Sequence, residues 1–419
     1  MTNDKTASDN DAPRSDDAEA RHARGLAILR QIGGPKYDGP ISRLARVSPD
    51  MARFTVDYPY GDVLSRPGLD LRLRQLCNVG SLIAQGSVQP QLRFHMEGLL
   101  NVGGSAQDLV EVMFIATAIL GFPAAINTIG IVRQILADRS IPFSPMLPAP
   151  DAGSSRYARG LAAFGELMQV PPSDYLASFE AISPELAQWS IEFAFGDVLA
   201  RGVLEHKAKH LVIATMLATV GNREDAMRLH LESALKVGAT KDEIIEALIQ
   251  VSVYAGFPAA LNAFGVAAQA FEERDELPAV AAAVSGSKPN AENDARRRER
   301  GLAALAATSG GSGEAVVRSF EDVAPEIGQM IVEHSYGDIF CRPGLDPKTR
   351  ELTACAALAG RATKTTETPL RVHINAALNV GASHEEIVET LLNMVAYFGF
   401  PAVQGAMRIA GEEFRKRGR

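Results

Sequence analysis

The chain has little of several residue types that would point to a particular compartment or partner. Only three of its 419 residues are cysteine. Cys77, Cys341 and Cys355 form neither a disulfide framework nor a metal-binding pattern, so a reduced, cytoplasmic protein is the simplest interpretation. No run approaches the roughly 18 uninterrupted apolar residues of a membrane span. The net charge of −8 argues against a nucleic-acid partner, which requires basic patches.

Familiar cofactor and metal motifs are also missing. The sequence has no Gly-x-Gly-x-x-Gly after a strand, no Walker loop, no Gly-x-Ser-x-Gly elbow and no histidine-rich cluster. We therefore expect a site that uses arginine, histidine and carboxylates, with no cofactor and no metal. Residues 1–20 are polar and mostly acidic, lack an apolar export segment and are predicted to form a disordered tail.

The chain does contain one sequence pattern that occurs three times. Tyr-Gly-Asp-x-x-x-Arg-Pro-Gly-Leu-Asp begins at Tyr60, and related segments begin at Phe195 and Tyr336. A Gly-Phe-Pro motif follows later in each copy, and one histidine lies between the two motifs: His95, His230 and His373. The interval from the first copy to the second is the same at the glycine (Gly61 to Gly196) as at the histidine. A period this long indicates whole domains rather than solenoid turns.

The repeats and two stretches rich in Pro, Gly, Ser and Ala set the predicted boundaries. These are a tail at 1–20, a first repeat at 21–140, a linker at 141–155, a second repeat at 156–277, a linker at 278–295 and a third repeat at 296–419. Each repeat opens with Arg-x-x-Arg-Gly-Leu-Ala.

The hydrophobic spacing predicts an all-α protein. Leu92, His95, Met96 and Leu99 follow the i, i+3, i+4, i+7 spacing of one buried helical face. Glycine is expected to end this helix, and a capping box to begin the next one. The boxes are Ser105 with Asp108, Thr240 with Glu243, and Ser383 with Glu386.

The aspartate and arginine of the first motif have two interpretations. Asp62 and Arg66 are four residues apart, as are Asp197 and Arg201, and Asp338 and Arg342. That spacing suits a helical ion pair worth about 0.3–0.5 kcal/mol. It also suits an arginine at a cavity that grips a carboxylate with two hydrogen bonds. A second acid lies five residues before each aspartate, Asp57 in the first copy, and the α-helical turn predicts that the two acids do not share a face.

The three histidines and a later basic residue also have two interpretations each. A lone histidine on an apolar face is often a core residue, yet all three copies keep theirs, as expected of a general acid or base. Arg74, Lys209 and Arg350 are either solvated cations or part of a site. Glu351 follows Arg350, whereas Gln75 and His210 occupy that position in the other copies, so only the third repeat offers a carboxylate there.

Taken together, these motifs resemble the carboxymuconolactone decarboxylase family, over nearly the whole chain and three times. The resemblance implies three tandem alkylhydroperoxidase-like helical domains arranged as a pseudo-trimer, and a homodimer of chains that forms a pseudo-hexamer. Peroxidase relatives use a Cys-x-x-Cys before the histidine. The corresponding positions hold no cysteine, which excludes that chemistry: Val88 and Gln91, Arg223 and Ala226, Thr366 and Pro369.

For the decarboxylase branch, the resemblance implies loss of CO2 from a small unsaturated lactone or enone carboxylic acid. Donors near the carbonyl oxygen would stabilise the dienolate, and an acid would protonate carbon. The implied catalytic residues are His95, His373 and His230. The implied substrate-binding residues are Arg66, Arg74, Arg342, Arg350, Arg201, Asp62 and Asp338.

The second copy departs from the family pattern, since it lacks Pro-Gly and has Lys209 in place of arginine. The first and third copies are therefore the better candidates. The same residues also suit an isomerase, a cyclase or a lactone-opening enzyme that works by proton transfer. A non-catalytic binding scaffold is the remaining alternative.

Overall fold

The computed structural model describes residues 16–46, 48–86, 88–145, 154–180, 182–272, 294–321, 324–361, 367–395 and 400–418. No strand occurs within these ranges, and the fold is all-α with three tandem helical domains. Most of the predicted tail, most of both linkers and Gly399 of the third Gly-Phe-Pro motif lie outside the described residues. None of the described helices is long and apolar enough to cross a bilayer.

Each repeat begins with an opening helix that packs on a π-helical segment. The opening helices are Asp16–Gly33, Arg156–Leu167 and Asp294–Ser309. Residues 16–20 are therefore helical, although the sequence placed them in a disordered tail. The acidic residues at positions 16, 17 and 19 favour a helix N-terminus. The π segments, which contain the first motif, are Val56–Leu64, Ser190–Leu199 and Ile331–Phe340.

Short helices lie between these two elements. In the first repeat they are a 3-10 turn at Gly34–Lys36 and helices at Gly39–Ala45 and Pro49–Thr55. In the second they are Pro172–Glu180 and Pro184–Trp189, and in the third Gly311–Arg318 and Pro325–Met330.

Four further elements complete each repeat. The pairing helices are Leu71–Gln85, His206–Val220 and Pro347–Arg361. The histidine helices are Gln89–Asn101, Glu224–Lys236 and Glu367–Asn379. The acidic helices are Ala106–Leu120, Lys241–Ile249 (continued by Val251–Ala255) and His384–Asn393. The closing helices are Phe122–Asp138, Phe257–Glu272 and Phe400–Arg417.

The predicted caps are confirmed. All three capping boxes have both reciprocal hydrogen bonds, including the first, in which Asp108 takes the place of glutamate. The glycines after the histidine helices, Gly103, Gly238 and Gly381, have φ of 94°, 94° and 90°, a region that favours glycine.

The Arg-x-x-Arg-Gly motif joins the opening helix to the π segment. Its second arginine, Arg24 in the first repeat, donates through Nε to the carbonyl oxygen of Gly61 at 2.9 Å. Its glycine, Gly25, lies so close that a Cβ would be 2.5 Å from the carbonyl oxygen of Val56. A larger residue would collide there, so this motif fixes the angle at which the two elements pack.

The π-helical geometry overturns the expectation that the two acids of this segment point in different directions. Asp57 and Asp62 both contact Arg21, with N–O distances of 3.1 and 3.3 Å. The hydrogen bonds of a π-helix run from i to i+5, so residues five apart lie on the same side. An α-helical turn was the wrong geometry for this stretch.

The second repeat packs on the first through equivalent helices. The two pairing helices lie side by side and are buried along nearly their whole length. Gly80 of the first faces Val212 and Met216 of the second. Because the same surface of each repeat forms the contact, the two repeats are related by a local two-fold axis.

The third repeat packs on the first through a different but also reciprocal contact. Tyr58 and His334 occupy equivalent positions in the two repeats and stack with ring centroids 4.0 Å apart. Reciprocal ion pairs flank the stack: Arg21 to Asp338 (3.7 Å) with Arg297 to Asp62 (3.4 Å), and Arg66 to Glu326 (3.5 Å) with Arg342 to Asp50 (2.6 Å). The first repeat thus contacts each of the other two through a reciprocal surface, and the second and third repeats also meet, with the ring centroids of Phe264 and Phe320 6.5 Å apart.

Candidate functional site

The recurring pattern places a cation against backbone carbonyls at the start of each pairing helix. Arg74 donates through Nε to Leu69 O at 3.0 Å and through Nη2 to Arg66 O at 2.8 Å. Arg350 makes the equivalent bonds, to Leu345 O at 3.2 Å and Arg342 O at 2.8 Å. Lys209 donates through Nζ to the carbonyl oxygens of Leu199 (2.8 Å) and Arg201 (2.5 Å). The basic residue of each pairing helix is therefore held in place by the loop that precedes it.

A carboxylate from the neighbouring repeat meets this cation in the first repeat. Glu246, on the acidic helix of the second repeat, accepts from Arg74 Nη2 through Oε2 at 2.7 Å and from Arg66 Nε through Oε1 at 2.8 Å. Arg74 is fully buried, and burial lowers the pKa of its guanidinium while the hydrogen bond to Glu246 opposes the change. Glu246 thus supplies the negative charge that the buried arginine needs.

The second repeat receives the same contact in the opposite direction. Glu111 of the first repeat accepts from Arg201 at 2.8–2.9 Å through both carboxylate oxygens. The Arg201 guanidinium also lies 4.7 Å from the Phe114 ring centroid. Lys209 contacts the loop carbonyls, and burial lowers its pKa to about 8. In both repeats, a glutamate of the neighbouring repeat binds the arginine that was expected to bind a substrate carboxylate.

The sequence analysis did not single out these glutamates. Glu111, Glu246 and Glu389 are equivalent, since each follows the histidine of its own repeat at the same interval. Their recurrence was a readable signal. Its meaning was not readable, because each contact joins two different repeats that are far apart in the chain.

Each histidine is paired with the residue that follows the cation on the pairing helix. His95 Nδ1 lies 2.8 Å from Gln75 Oε1, His230 Nδ1 lies 3.0 Å from His210 Nδ1, and His373 Nδ1 lies 2.7 Å from Glu351 Oε2. The repeat pattern in the sequence indicates that these positions are equivalent, but it does not indicate that they contact the histidines. The three sites therefore differ in the chemical group that contacts the histidine, which is an amide, an imidazole or a carboxylate.

The first two histidines are buried in the neutral form. Burial lowers the pKa of His95 to about 3 and that of His230 to about 4. The pKa of His210 is also well below its usual value, first through burial and then through the proximity of His230. The ring of His95 is further enclosed by Tyr254 of the second repeat, whose hydroxyl lies 3.3 Å from Nε2. At neutral pH these imidazoles are therefore neutral and lack the second ring proton that an imidazolium could give to a substrate.

The third histidine has a different environment. Its side chain is 21% exposed, whereas that of Glu351 is fully buried. The second oxygen of Glu351 has no hydrogen-bond partner among the described residues, so its charge faces mainly the imidazole. Phe340, with its ring centroid 6.1 Å from that of His373, also lines a cleft of about 320 Å³ whose wall includes Arg342 and Leu345.

The aspartates of the first motif lie away from the histidines, at the contact between the first and third repeats. Asp62 and Asp338 share Arg21 and Arg297, and no ion pair joins Asp62 to Arg66 or Asp338 to Arg342 within the described residues. The i, i+4 ion-pair interpretation therefore fails for Asp62 and Asp338, which pair with arginines of the opening helices instead. The hydrogen bonds from His334 and Arg297 hold the pKa of Asp338 below its ordinary value, although burial opposes them.

Comparison with known proteins agrees with this architecture. Residues 49–134, 184–269 and 325–412 each match the carboxymuconolactone decarboxylase family, and together they make up more than half of the chain. The 4-carboxymuconolactone decarboxylase of Acinetobacter baylyi is 31% identical over 124 residues, which is 29% of this chain and 92% of that protein.

Two further relatives are similar over smaller shares of their own length. The nitrosuccinic acid decarboxylase of Metarhizium robertsii is 33% identical over 79 residues, 19% of this chain and 53% of that protein. Peroxisomal protein 2 of Schizosaccharomyces pombe is 28% identical over 155 residues, 36% of this chain and 70% of that protein. The chain belongs to the carboxymuconolactone decarboxylase family, with three copies of the family domain in tandem.

Proposed function

We propose that the protein is a cofactor-independent decarboxylase of a small carboxylic acid and that its third repeat carries out the reaction. Two relatives are named for acids of this kind, 4-carboxymuconolactone and nitrosuccinic acid. Each acid has a lactone carbonyl or a nitro group that can accept the electrons left by departing CO2. We infer a substrate of that class, either an unsaturated lactone or enone acid or another acid with such an acceptor.

The observation that supports this proposal is the contact between His373 and Glu351. Among the three copies, only this histidine is paired with a carboxylate and is partly exposed. A carboxylate beside an imidazole orients the ring and stabilises the imidazolium that forms when the ring takes up a proton. His95 and His230, which are buried and neutral, lack both properties.

The reaction then needs two groups from the protein. The bond between carbon and the carboxylate breaks, CO2 leaves, and the electron pair moves to the acceptor oxygen, where N–H groups of Arg350 stabilise the charge. His373 gives its proton to carbon, and the neutral ring regains a proton from solvent while Glu351 balances its charge. One proton is consumed for each CO2 released.

Arg342 is the proposed binding residue for a second anionic group of the substrate. It lines the cleft beside Phe340, and its present partner, Asp50, has a side chain that is 57% exposed. A substrate carboxylate can replace such a surface partner at little cost. In the first repeat, Arg66 is instead paired with the buried Glu246, and in the second repeat Arg201 is paired with the buried Glu111. We therefore assign those two repeats a structural role.

An isomerase, cyclase or lactone-opening enzyme remains the second candidate, because the contact between His373 and Glu351 suits any transfer of a proton to or from carbon. Release of CO2 separates the two candidates. A binding scaffold would show neither CO2 nor any other product.

The test is CO2 release by the purified full chain on 4-carboxymuconolactone, nitrosuccinate and related acids. His373→Gln should lower kcat at least about 10²-fold, the scale of general acid catalysis. The matched variant His95→Gln should stay within about threefold of wild type. Equal losses in both variants, or turnover without CO2, would contradict the proposal.

A further inference from the structure

A second cleft lies in the first repeat, between the opening helix and the two short helices that precede the π segment. Its volume is about 490 Å³, a size at which proteins bind small molecules. Its apolar wall includes Leu26 of the opening helix, with Ile41 and Ala52 of the two short helices. None of the catalytic or substrate-binding residues assigned to the third repeat lines it, so its chemistry has to be considered separately.

Two polar side chains of this cleft are held by one buried carboxylate. Asp57 is 1% exposed, and its Oδ1 lies 2.6 Å from His22 Nδ1. Arg53 donates through Nε to Asp57 Oδ2 at 3.1 Å. The side chains of His22 and Arg53 are nevertheless 37% and 33% exposed, and His22 Nε2 and both Nη atoms of Arg53 have no partner within the described ranges. A fixed imidazole and a fixed guanidinium thus border the cleft with donors available for a carboxylate.

This pair of side chains occurs in the first repeat alone. The positions equivalent to His22 hold Tyr157 and Arg298, and glutamine replaces Arg53 in both other repeats. In the second repeat that glutamine, Gln188, donates to the acid equivalent to Asp57 at 3.0 Å. A glutamine is therefore sufficient to satisfy the acid in this fold, and the combination of histidine and arginine provides donors that the acid does not require.

The cleft also contains two acids, which differ in their surroundings. Asp50 is already paired with Arg342 at 2.6 Å. Glu19 is exposed, has no ion pair in the described part of the chain and lies three residues before His22 on the opening helix. Side chains at that spacing are neighbours on a helix, with Cβ atoms about 5–6 Å apart. An acceptor for a cation thus lies beside the donors for an anion, and a ligand with negative charge alone would be repelled by Glu19.

We propose that this cleft binds an α-amino acid with an apolar side chain. The ligand carboxylate accepts from Arg53 and from the protonated ring of His22, and the ligand ammonium donates to Glu19. The side chain of the ligand packs on the apolar wall. In an α-amino acid one carbon joins the two charged groups, which matches an acid and a base on adjacent turns of one helix. This site goes beyond the proposed decarboxylase activity and does not depend on it, since neither His373 nor Glu351 contributes to it.

The test is isothermal titration calorimetry of the full chain with leucine as the probe. Two truncated probes keep the same hydrocarbon part: 4-methylpentanoate lacks the ammonium, and 3-methylbutylamine lacks the carboxylate. We expect saturable binding of leucine and at least about tenfold weaker binding of either truncated probe, because each loses a charged hydrogen bond. No saturable binding of leucine, or equal affinity for 4-methylpentanoate, would overturn the proposal.

Variants locate the site. Arg53→Gln introduces the residue of the other two repeats and should weaken leucine binding at least about tenfold. Glu19→Gln should weaken leucine binding without weakening that of 4-methylpentanoate. The matched control is His206→Gln, which removes another partly exposed histidine, one that lies 3.0 Å from Glu166 and outside the cleft, and its affinity for leucine should be unchanged.

Leucine binding that is indifferent to Arg53→Gln would also overturn the proposal. Circular dichroism checks that this variant is folded, and if it is not, Glu19→Gln against His206→Gln decides. The heat of leucine binding is measured without substrate, whereas His373→Gln is judged by CO2 release, so the two proposals fail separately.

Discussion

Glu246 Oε2 lies 2.7 Å from Arg74 Nη2, although the two residues belong to different repeats and are 172 residues apart in the chain. The arginine is fully buried and the glutamate nearly so. Their contact turns two family domains into one unit, because neither charge would be stable in that place without the other.

Removing this carboxylate should therefore cost stability rather than activity. Glu246→Gln leaves Arg74 buried without its counter-charge, and we expect a loss of about 3 kcal/mol in the free energy of unfolding. Urea unfolding measures it. The exposed Glu224, on the histidine helix of the same repeat, provides the control, and Glu224→Gln should change the free energy by less than about 0.5 kcal/mol. Similar losses in both variants would mean that the ion pair contributes nothing.

Glu351→Gln should convert the third site to the type found in the first. With an amide in place of the carboxylate, the imidazolium of His373 loses its counter-charge, and kcat should fall by about 10²-fold with little change in KM. Steady-state kinetics on the active substrate measure both. The control is Glu413→Gln, which removes another buried glutamate of this repeat, one that contacts Arg371 and Lys416. A rate that falls equally in Glu413→Gln would point to a general loss of structure.

Stability should decrease on mild acidification. The folded pKa is about 3 for His95 and about 4 for His230, below the value of about 6.5 expected in the unfolded chain. Between these values the unfolded chain binds more protons, so the contribution of each histidine is complete above about pH 6.5 and is lost as the pH falls towards 4. Each contributes a slope of about 1.4 kcal/mol per pH unit.

The measurement is the free energy of unfolding in urea between pH 7.5 and pH 5, for the wild type and for His95→Gln. The free energy of unfolding should depend less steeply on pH in the variant, by roughly the slope that one histidine contributes. An unchanged slope would show that His95 is protonated in the folded protein.

The sequence by itself determined the all-α class, the three copies, the capping boxes and the equivalence of the three histidines. These features depend on local hydrogen bonds and on spacing along one helix, so each can be read within a few neighbouring residues. The pattern of the first motif was also readable, but its geometry was not. The expected α-helical turn gave way to a π segment, which brings Asp57 and Asp62 to one arginine.

Only the tertiary structure decided which of the equivalent residues meet. Glu111 and Glu246 contact arginines of the other repeat, and Tyr58 stacks on its own counterpart, His334. Such contacts depend on how whole domains pack, and no local pattern encodes that. The same packing separates the copies: it buries His95 and His230 beside neutral partners, and it leaves His373 partly exposed beside the carboxylate of Glu351.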